Sequence, residues 1–346
     1  MLKQNDKVII YCQDSFNTEN AKTAIGFIRY SKIETVGIVD RKSAGRFADE
    51  IISGLKKIPI YSSIEEIKQK VKDANVLLIG IALAGGKFPK SWTDDIKNSV
   101  KLKMNIVNGL HDFLSDIDEI SELAKLNGVY VWDVRKSDSS LTANAKVLNS
   151  PIHVVLTVGT DGAIGKMTTS LELTELANKK NIKAKFIATG QTGIMISGEG
   201  VPIDALRGDF MAGAVEEEII KAANEKYEVA FVEGQGSILH PAWSGVTLAL
   251  LHGSLPHKLI LCHKTDRAYI KNTSVKISSL DNFIKLYEDL SLPIRKAKIV
   301  GISLNTMGLS DDKAKSIISE TERETGLPTD DPVRYSAEKL LKSCQR

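Results

Sequence analysis

The stretch VVLTVGTDGAIGKMTTSLELTELA, residues 154–177, limits the fold more than any other part of the chain. It opens with a continuous apolar and β-branched run, the pattern of a strand covered on both faces. A glycine-rich turn follows, and then a segment with helical periodicity. Strand, tight turn and helix form the start of a βαβ unit, which requires a parallel sheet with helices packed on it.

The same alternation runs through the whole sequence. In the first part, KVIIYCQ reads as a strand and residues 19–30 as a helix. TVGIVD (35–40) is a second strand that ends in the acidic Asp40, and ANVLLIGIA (74–82) is a third, followed by the turn Gly85-Gly86. NIVNGL and GVYVWDVR supply two more. Residues 136–151, KSDSSLTANAKVLNSP, are polar and read as a linker. A second series then follows: IHVVLTV, AKFIATG, YEVAFVEGQG, KLILCH and AKIVGISLNT, with residues 311–346 reading as helix, turn and helix. The expected architecture is α/β, with two doubly wound domains of mainly parallel sheet. The first is Rossmann-like over residues 1–140, and the second is P-loop-containing and NTPase-like over residues 150–346. A length of 346 residues suits two such domains.

Bulk properties narrow the function. Apolar residues make up 42% and charged residues 26%, an average soluble composition. The 46 basic and 43 acidic residues are dispersed and leave a net charge of +3, which gives no footprint for nucleic acid or a membrane surface. Cys12, Cys262 and Cys344 have no metal-type spacing and imply no disulfide framework. The N-terminus MLKQNDKVIIYCQ lacks a signal peptide's apolar core, and no apolar run has membrane-spanning length. A cytoplasmic protein with a small-molecule substrate is expected, assembled as a homo-oligomer.

The turn after residue 158 raises the question of phosphate. A phosphate loop needs converging backbone N–H groups, small residues that permit close approach, and a helix beginning at the anion. Gly159, Thr160, Asp161, Gly162, Ala163 and Gly165 form such a turn, with Lys166 placed to reach a terminal phosphate and Thr168 and Thr169 one step on. The spacing departs from G-x-x-x-x-G-K-[ST]: five residues separate Gly159 from Gly165, and Met167 follows the lysine. In nucleotide hydrolases a hydroxyl there binds Mg²⁺, which a thioether does not replace. Thr168 lies about 100° further round the helix. The competing reading is an ordinary βα turn with a surface lysine.

Further candidates stand at other strand ends. Glu233 closes the strand YEVAFV where a Walker-B-type acid would stand, and His240 follows within one loop. A carboxylate and an imidazole at that edge suit acid–base work. His240, His252, His257 and His263 crowd together, but in no common zinc spacing, so no metal is expected. ATGQTG offers Gln191 and Thr192, and Arg207 follows between Asp204 and Asp209, either free for a substrate carboxylate or paired with one of those acids. LCHKTDR places His263, Lys264 and Arg267 after a strand, and GISLNT places Asn305 and Thr306 likewise. In the first part the dinucleotide fingerprint G-x-G-x-x-G is missing after the first strand, where CQDSFNTENAKTA stands. Asp40 alone is a weak sign of ribose binding, since acids are common at strand ends.

GTDGAIGKMTTSLEL, ATGQTGIMI, GVPIDALRGDFMAGAVE, VEGQGSILHPAWSGVTLALLHG, LCH and GISLNT together resemble one P-loop family, as do KTAIGFIRY, IVDRKSAGR, IGIALAGGKFP and NGLHDFLSD. This family was long catalogued as a domain of unknown function, and some members are described as D-glutamate N-acetyltransferases. The loop is also similar to that of dethiobiotin synthetase. Over nearly the whole chain, the resemblance implies a Rossmann-like and a P-loop domain and acetyl-CoA-dependent transfer to the amino group of D-glutamate. Gly162 stands where relatives often carry cysteine, so no thiol role carries over. The first strand ends in CQDSF rather than an acidic residue and glycine. On this reading Gly162, Gly165, Lys166, Thr168 and Thr169 hold donor phosphate, and Glu233 or His240 takes the ammonium proton. Gln191, Thr192 and Arg207 hold carboxylates or the carbonyl oxygen. The alternatives are an ATP- and Mg²⁺-dependent ligase or kinase acting on a small acid, with Glu233 on the metal, and a nucleotide sensor without turnover.

Overall fold

The structure, a computed structural model, describes residues 2–83 and 86–345. Gly85 of the expected Gly85-Gly86 turn lies outside the described residues. The chain forms two compact units. One contains the described residues up to Ser137 together with Gln191–Ala205, and the other contains Asp138–Gly190 and the chain from Leu206 onward.

The first unit runs β1 (Lys7–Tyr11), α1 (Lys22–Tyr30), β2 (Glu34–Val39), α2 (Ala48–Ile51), β3 (Ile60–Tyr61), α3 (Ile64–Lys70), β4 (Val76–Ile79), α4 (Thr93–Lys101), β5 (Asn105–Asn108), α5 (Asp118–Asn127) and β6 (Val131–Asp133). Its six strands are parallel, in the order β3-β2-β1-β4-β5-β6. That is the strand order of a doubly wound Rossmann sheet. Val8, Ile9, Ile10, Leu77, Leu78 and Ile106 are fully buried, because helices cover both sheet faces. Asp40 is buried directly after β2.

The second unit runs β7 (His153–Gly159), α6 (Lys166–Lys179), β8 (Ala184–Ile187), then, after α7 (Gln191–Ser197) in the first unit, α8 (Gly208–Asn224), β9 (Val229–Val232), α9 (Ser244–Ser254), β10 (Lys258–Lys264), α10 (Leu280–Ser291), β11 (Lys298–Asn305), α11 (Asp311–Thr325), β12 (Thr329–Asp330) and α12 (Glu338–Cys344). Its sheet is also parallel, in the order β12-β11-β10-β7-β9-β8. Every residue of β7 is buried, as its apolar run requires of a central strand. Chain order reverses around β7, whose neighbours are β9 and β10, so its C-terminal end is the switch point where ligands bind in open α/β sheets. The glycine loop begins there. The turn expected between the last two helices contains the short strand β12, which extends the sheet beside β11.

Two findings concern the connections. The second half of the polar stretch 136–151 is anchored rather than loose. The buried Glu216 carboxylate on α8 accepts from Asn144 N (2.9 Å) and Lys146 N (2.7 Å). A Cβ on Gly213 of the same helix would fall 2.1 Å from the Leu141 carbonyl oxygen, so the backbones touch. The segment Gln191–Ala205 belongs to the first unit, where α7 packs on α1 and Thr192 Oγ1 lies 2.9 Å from Thr23 Oγ1. Glu216→Ala leaves two amides without their acceptor. It should lower unfolding free energy by about 2 kcal/mol, read as a shifted urea midpoint; an unmoved midpoint would mean the stretch is not held through Glu216.

Candidate functional site

At the end of β7 the backbone turns through Gly159, Gly162 and Gly165 and enters α6 at Lys166. Gly165 has φ +115° and Ala163 φ +53°, left-handed conformations that curl the loop around a point above the helix N-terminus. Lys166 is 6% exposed and folds back, with Nζ donating to the Asp161 carbonyl at 2.7 Å. Burial pushes its ammonium down to about 8, against the opposing pull of Cys262, Asp161 and Glu233. The lysine is thus a buried cation at a helix N-terminus, bonded to its own loop. Neighbouring elements brace that loop. Tyr287 Oη on α10 donates to the Gly159 carbonyl (2.8 Å) and accepts from Ile238 N (3.1 Å). Burial pushes this phenol up to about 12, which keeps the donor protonated.

Asp161 has no exposed surface, and its charge is fully compensated within the protein. Oδ1 accepts from Gly162 N (2.7 Å), while Oδ2 accepts from Arg267 Nη1 (2.8 Å) and Lys271 N (2.9 Å). His240 Nε2 lies 3.9 Å from Oδ1. Thr160 Oγ1 meets His263 Nδ1 at 2.9 Å, and burial lowers the pKa of that imidazole. Asn305, at the end of β11, faces the loop's far side, with Nδ2 3.5 Å from the Ile164 carbonyl.

Glu233 follows β9 and is buried. Its Oε2 accepts from Thr189 N (2.9 Å) and Gly190 N (3.2 Å), and Oε1 accepts from Gln235 Nε2 (3.2 Å). The carboxylate therefore ties the ends of β8 and β9 together while standing close enough to Lys166 to raise its pKa. Gly234 is required at the next position. A Cβ there would lie 1.8 Å from the Thr157 carbonyl oxygen and 2.9 Å from Lys166 Cδ.

The structure brings Gly159, Thr160, Asp161, Gly162, Gly165, Lys166, Glu233, His240, His263 and Asn305 together at the strand ends of the second unit. Thr168 is half-buried on the first turn of α6. Four residues take other places. Thr169 turns toward the sheet, where its hydroxyl donates to the Gly165 carbonyl and pairs with Ser303 at 2.8 Å. Gln191 and Thr192 are bonded inside the first unit, Gln191 Oε1 accepting from Arg135 Nη2 at 2.8 Å. Arg207 is exposed at the start of α8, and Asp204 pairs with Arg135 instead. His240 remains beside the loop, but Nδ1 accepts from Ala242 N (3.1 Å) and Nε2 donates to the Lys271 carbonyl (3.2 Å). With both nitrogens engaged, the ring acts here as a fastener.

Sequence reasoning missed Tyr287, Lys271 and Trp243. Trp243 stacks on His240 with ring centroids 4.0 Å apart and lies so close to residue 162 that a Cβ there would be 2.9 Å from its ring. The available signal was a tyrosine on the buried stripe of FIKLYEDL, since a buried phenol needs a polar partner. Nothing local names that partner, which is 128 residues away.

Comparison with known proteins agrees with the two α/β units. Residues 141–341 match the P-loop domain of DUF1611, a domain of unknown function, and residues 41–137 match the Rossmann-like DUF1611 N-terminal domain. A D-glutamate N-acetyltransferase of Tritonibacter scottomollicae is 34% identical over 96% of this chain and 96% of its own. Another from a Pseudoalteromonas species is 36% identical over 78% of this chain and 80% of its own. The crystal structure of a DUF1611 family protein from Anabaena variabilis superposes with a TM-score of 0.94 at 39% identity, covering 98% of this chain and 99% of that one. With its Rossmann-like unit, its phosphate-loop unit and relatives matched along nearly its full length, the chain belongs to the DUF1611 family.

Proposed function

We propose that the protein is an N-acetyltransferase that moves the acetyl group of acetyl-CoA to the amino group of D-glutamate. The observation that carries this reading is the loop itself: a buried lysine in an anion cradle, followed by Met167 where metal-dependent phosphate loops place a hydroxyl. Binding a phosphate without cleaving it needs the cradle and the cation but not that hydroxyl. The relatives named D-glutamate N-acetyltransferase support the acceptor and the reaction class.

The residues present fit the phosphates of such a donor. Gly165 and Ala163 hold the left-handed turns that open the cradle, and Lys166 can exchange its loop carbonyl for a phosphate oxygen. When bound, acetyl-CoA supplies an acyl group activated as a thioester. The acceptor amine must lose a proton before it can attack, and oxygen charge must be stabilised as it develops. Glu233 is the proposed proton acceptor: it is a buried carboxylate at the end of β9, close to Lys166, whereas both His240 ring nitrogens are engaged. Glu233 at the end of β9 also stands where an ATP-dependent enzyme would hold Mg²⁺, so a ligase or kinase is the second reading.

Purified protein with acetyl-CoA and D-glutamate, in EDTA and without ATP, should release free thiol only when D-glutamate is present. Thiol release that ignores the amino acid, or ATP consumption on adding Mg²⁺ with no thiol release, would reject acetyl transfer. L-glutamate and D-aspartate in the same assay test acceptor choice. Lys166→Ala should raise the donor KM at least about tenfold, since it removes a charge-assisted contact, and leave circular dichroism unchanged.

A pH dependence follows from the buried ammonium. Lys166 is charged below about 8, so donor affinity should hold below that pH and decline above it, an inflection absent from Lys166→Ala. The sign for stability is opposite. Between about 8 and the ordinary 10.5 the folded state binds fewer protons than the unfolded chain, so this lysine's contribution to stability rises with pH there.

A further inference from the structure

After β10 the chain forms an arm over residues 265–277. Ile277 N donates to the Ala268 carbonyl (3.0 Å), Ile270 N donates to the Val275 carbonyl (2.9 Å), and Tyr269 bridges Lys276 in antiparallel fashion. Asn272 turns the tip at φ +62°. The arm carries the half-exposed Tyr269 and little buried apolar surface besides Ile270, so packing alone holds it weakly. Polar contacts fasten it to the phosphate loop. Asp161 Oδ2 takes Arg267 Nη1 and Lys271 N, and His240 Nε2 donates to the Lys271 carbonyl.

An acid inside an anion cradle is electrostatically out of place. An uncompensated carboxylate would repel a phosphate and would be costly to bury. The Arg267 guanidinium cancels that charge at the carboxylate itself. We propose that Asp161 and Arg267 form a charge-compensated clamp, in which Asp161 fastens the arm to the phosphate loop and Arg267 keeps that loop receptive to a polyanionic ligand. Both are positioning residues, and His240 is the second fastener. The inference rests on the reading that the loop takes the phosphates of the acyl donor.

Titration calorimetry with CoA and with inorganic pyrophosphate tests the charge half of the clamp. Arg267→Ala should weaken both about tenfold or more, because it leaves a buried carboxylate facing the anion. Arg267→Gln, which keeps most of the stem, should do the same. The double variant Asp161→Asn/Arg267→Ala should recover most of the lost affinity. A purely structural role predicts the reverse, with the double variant no better than the single. Hydrogen exchange tests the fastening half: in Asp161→Asn the amides of residues 268–277 should lose protection while β7 keeps its own. Wild-type CoA affinity in both Arg267 variants, or a double variant no better than Arg267→Ala, overturns the proposal. If the wild type binds neither CoA nor pyrophosphate, the acetyl-transfer reading fails by itself. The exchange measurement then decides the clamp, and unchanged protection in Asp161→Asn rejects it.

Discussion

A buried carboxylate in a phosphate loop organises the second unit of this protein. Asp161 is withdrawn from water, and a buried ion is tolerated only when it is paired and hydrogen-bonded. Meeting that requirement draws in Gly162 from the loop and Arg267 and Lys271 from the following arm, and His240 from the loop after β9 holds the Lys271 carbonyl. Segments separated by up to 110 residues are thereby held together. The glycines permit the loop's curvature, and Asp161 determines what lies against it.

Beneath the loop a second set of contacts joins neighbouring strands. Thr157 Oγ1 accepts from Gly234 N and lies within hydrogen-bond distance of Ser170 Oγ and the Val232 carbonyl, so β7, β9 and α6 share one hydroxyl. Glu233 spans β8 and β9, and Tyr287 connects the loop's base to the segment after β9. Lys166 is buried beside these bonds, and it is burial that depresses its pKa, against the pull of Glu233. Such preorganisation suits binding of an anion without reorganisation of the site.

Much of the fold was legible in the sequence because its signals are local. Continuous apolar strands such as VVLTV and KLILC, alternating with helical periods, dictate parallel sheets. The strand–glycine–lysine–helix order dictated a phosphate loop in spite of its spacing. Backbone position was legible: Gly165, Lys166, Glu233 and Asn305 all stand in or beside loops at strand ends that topology gathers together. Side-chain direction was not. Thr169, one residue beyond Thr168, points to Ser303 on the sheet. GQTG looked like one turn, yet Gly190 bonds Glu233 in the second unit while Gln191 bonds Arg135 in the first. Arg207, expected at a carboxylate or an ion pair with a nearby acid, is exposed, and the buried guanidinium is Arg135.

The sequence by itself determined the two α/β units, the order of strand, glycine loop and helix, and the thioether at residue 167, where metal-dependent phosphate loops place a hydroxyl. Those properties follow from periodicity, from the φ values glycine allows and from the chemistry of single residues. Only the tertiary structure decided which charges face one another. The pairing of Asp161 with Arg267, the engagement of both His240 nitrogens and the tie between Tyr287 and Gly159 each join residues far apart in the chain. Desolvation makes such partners obligatory, and only the packed fold specifies which residues are near enough to serve.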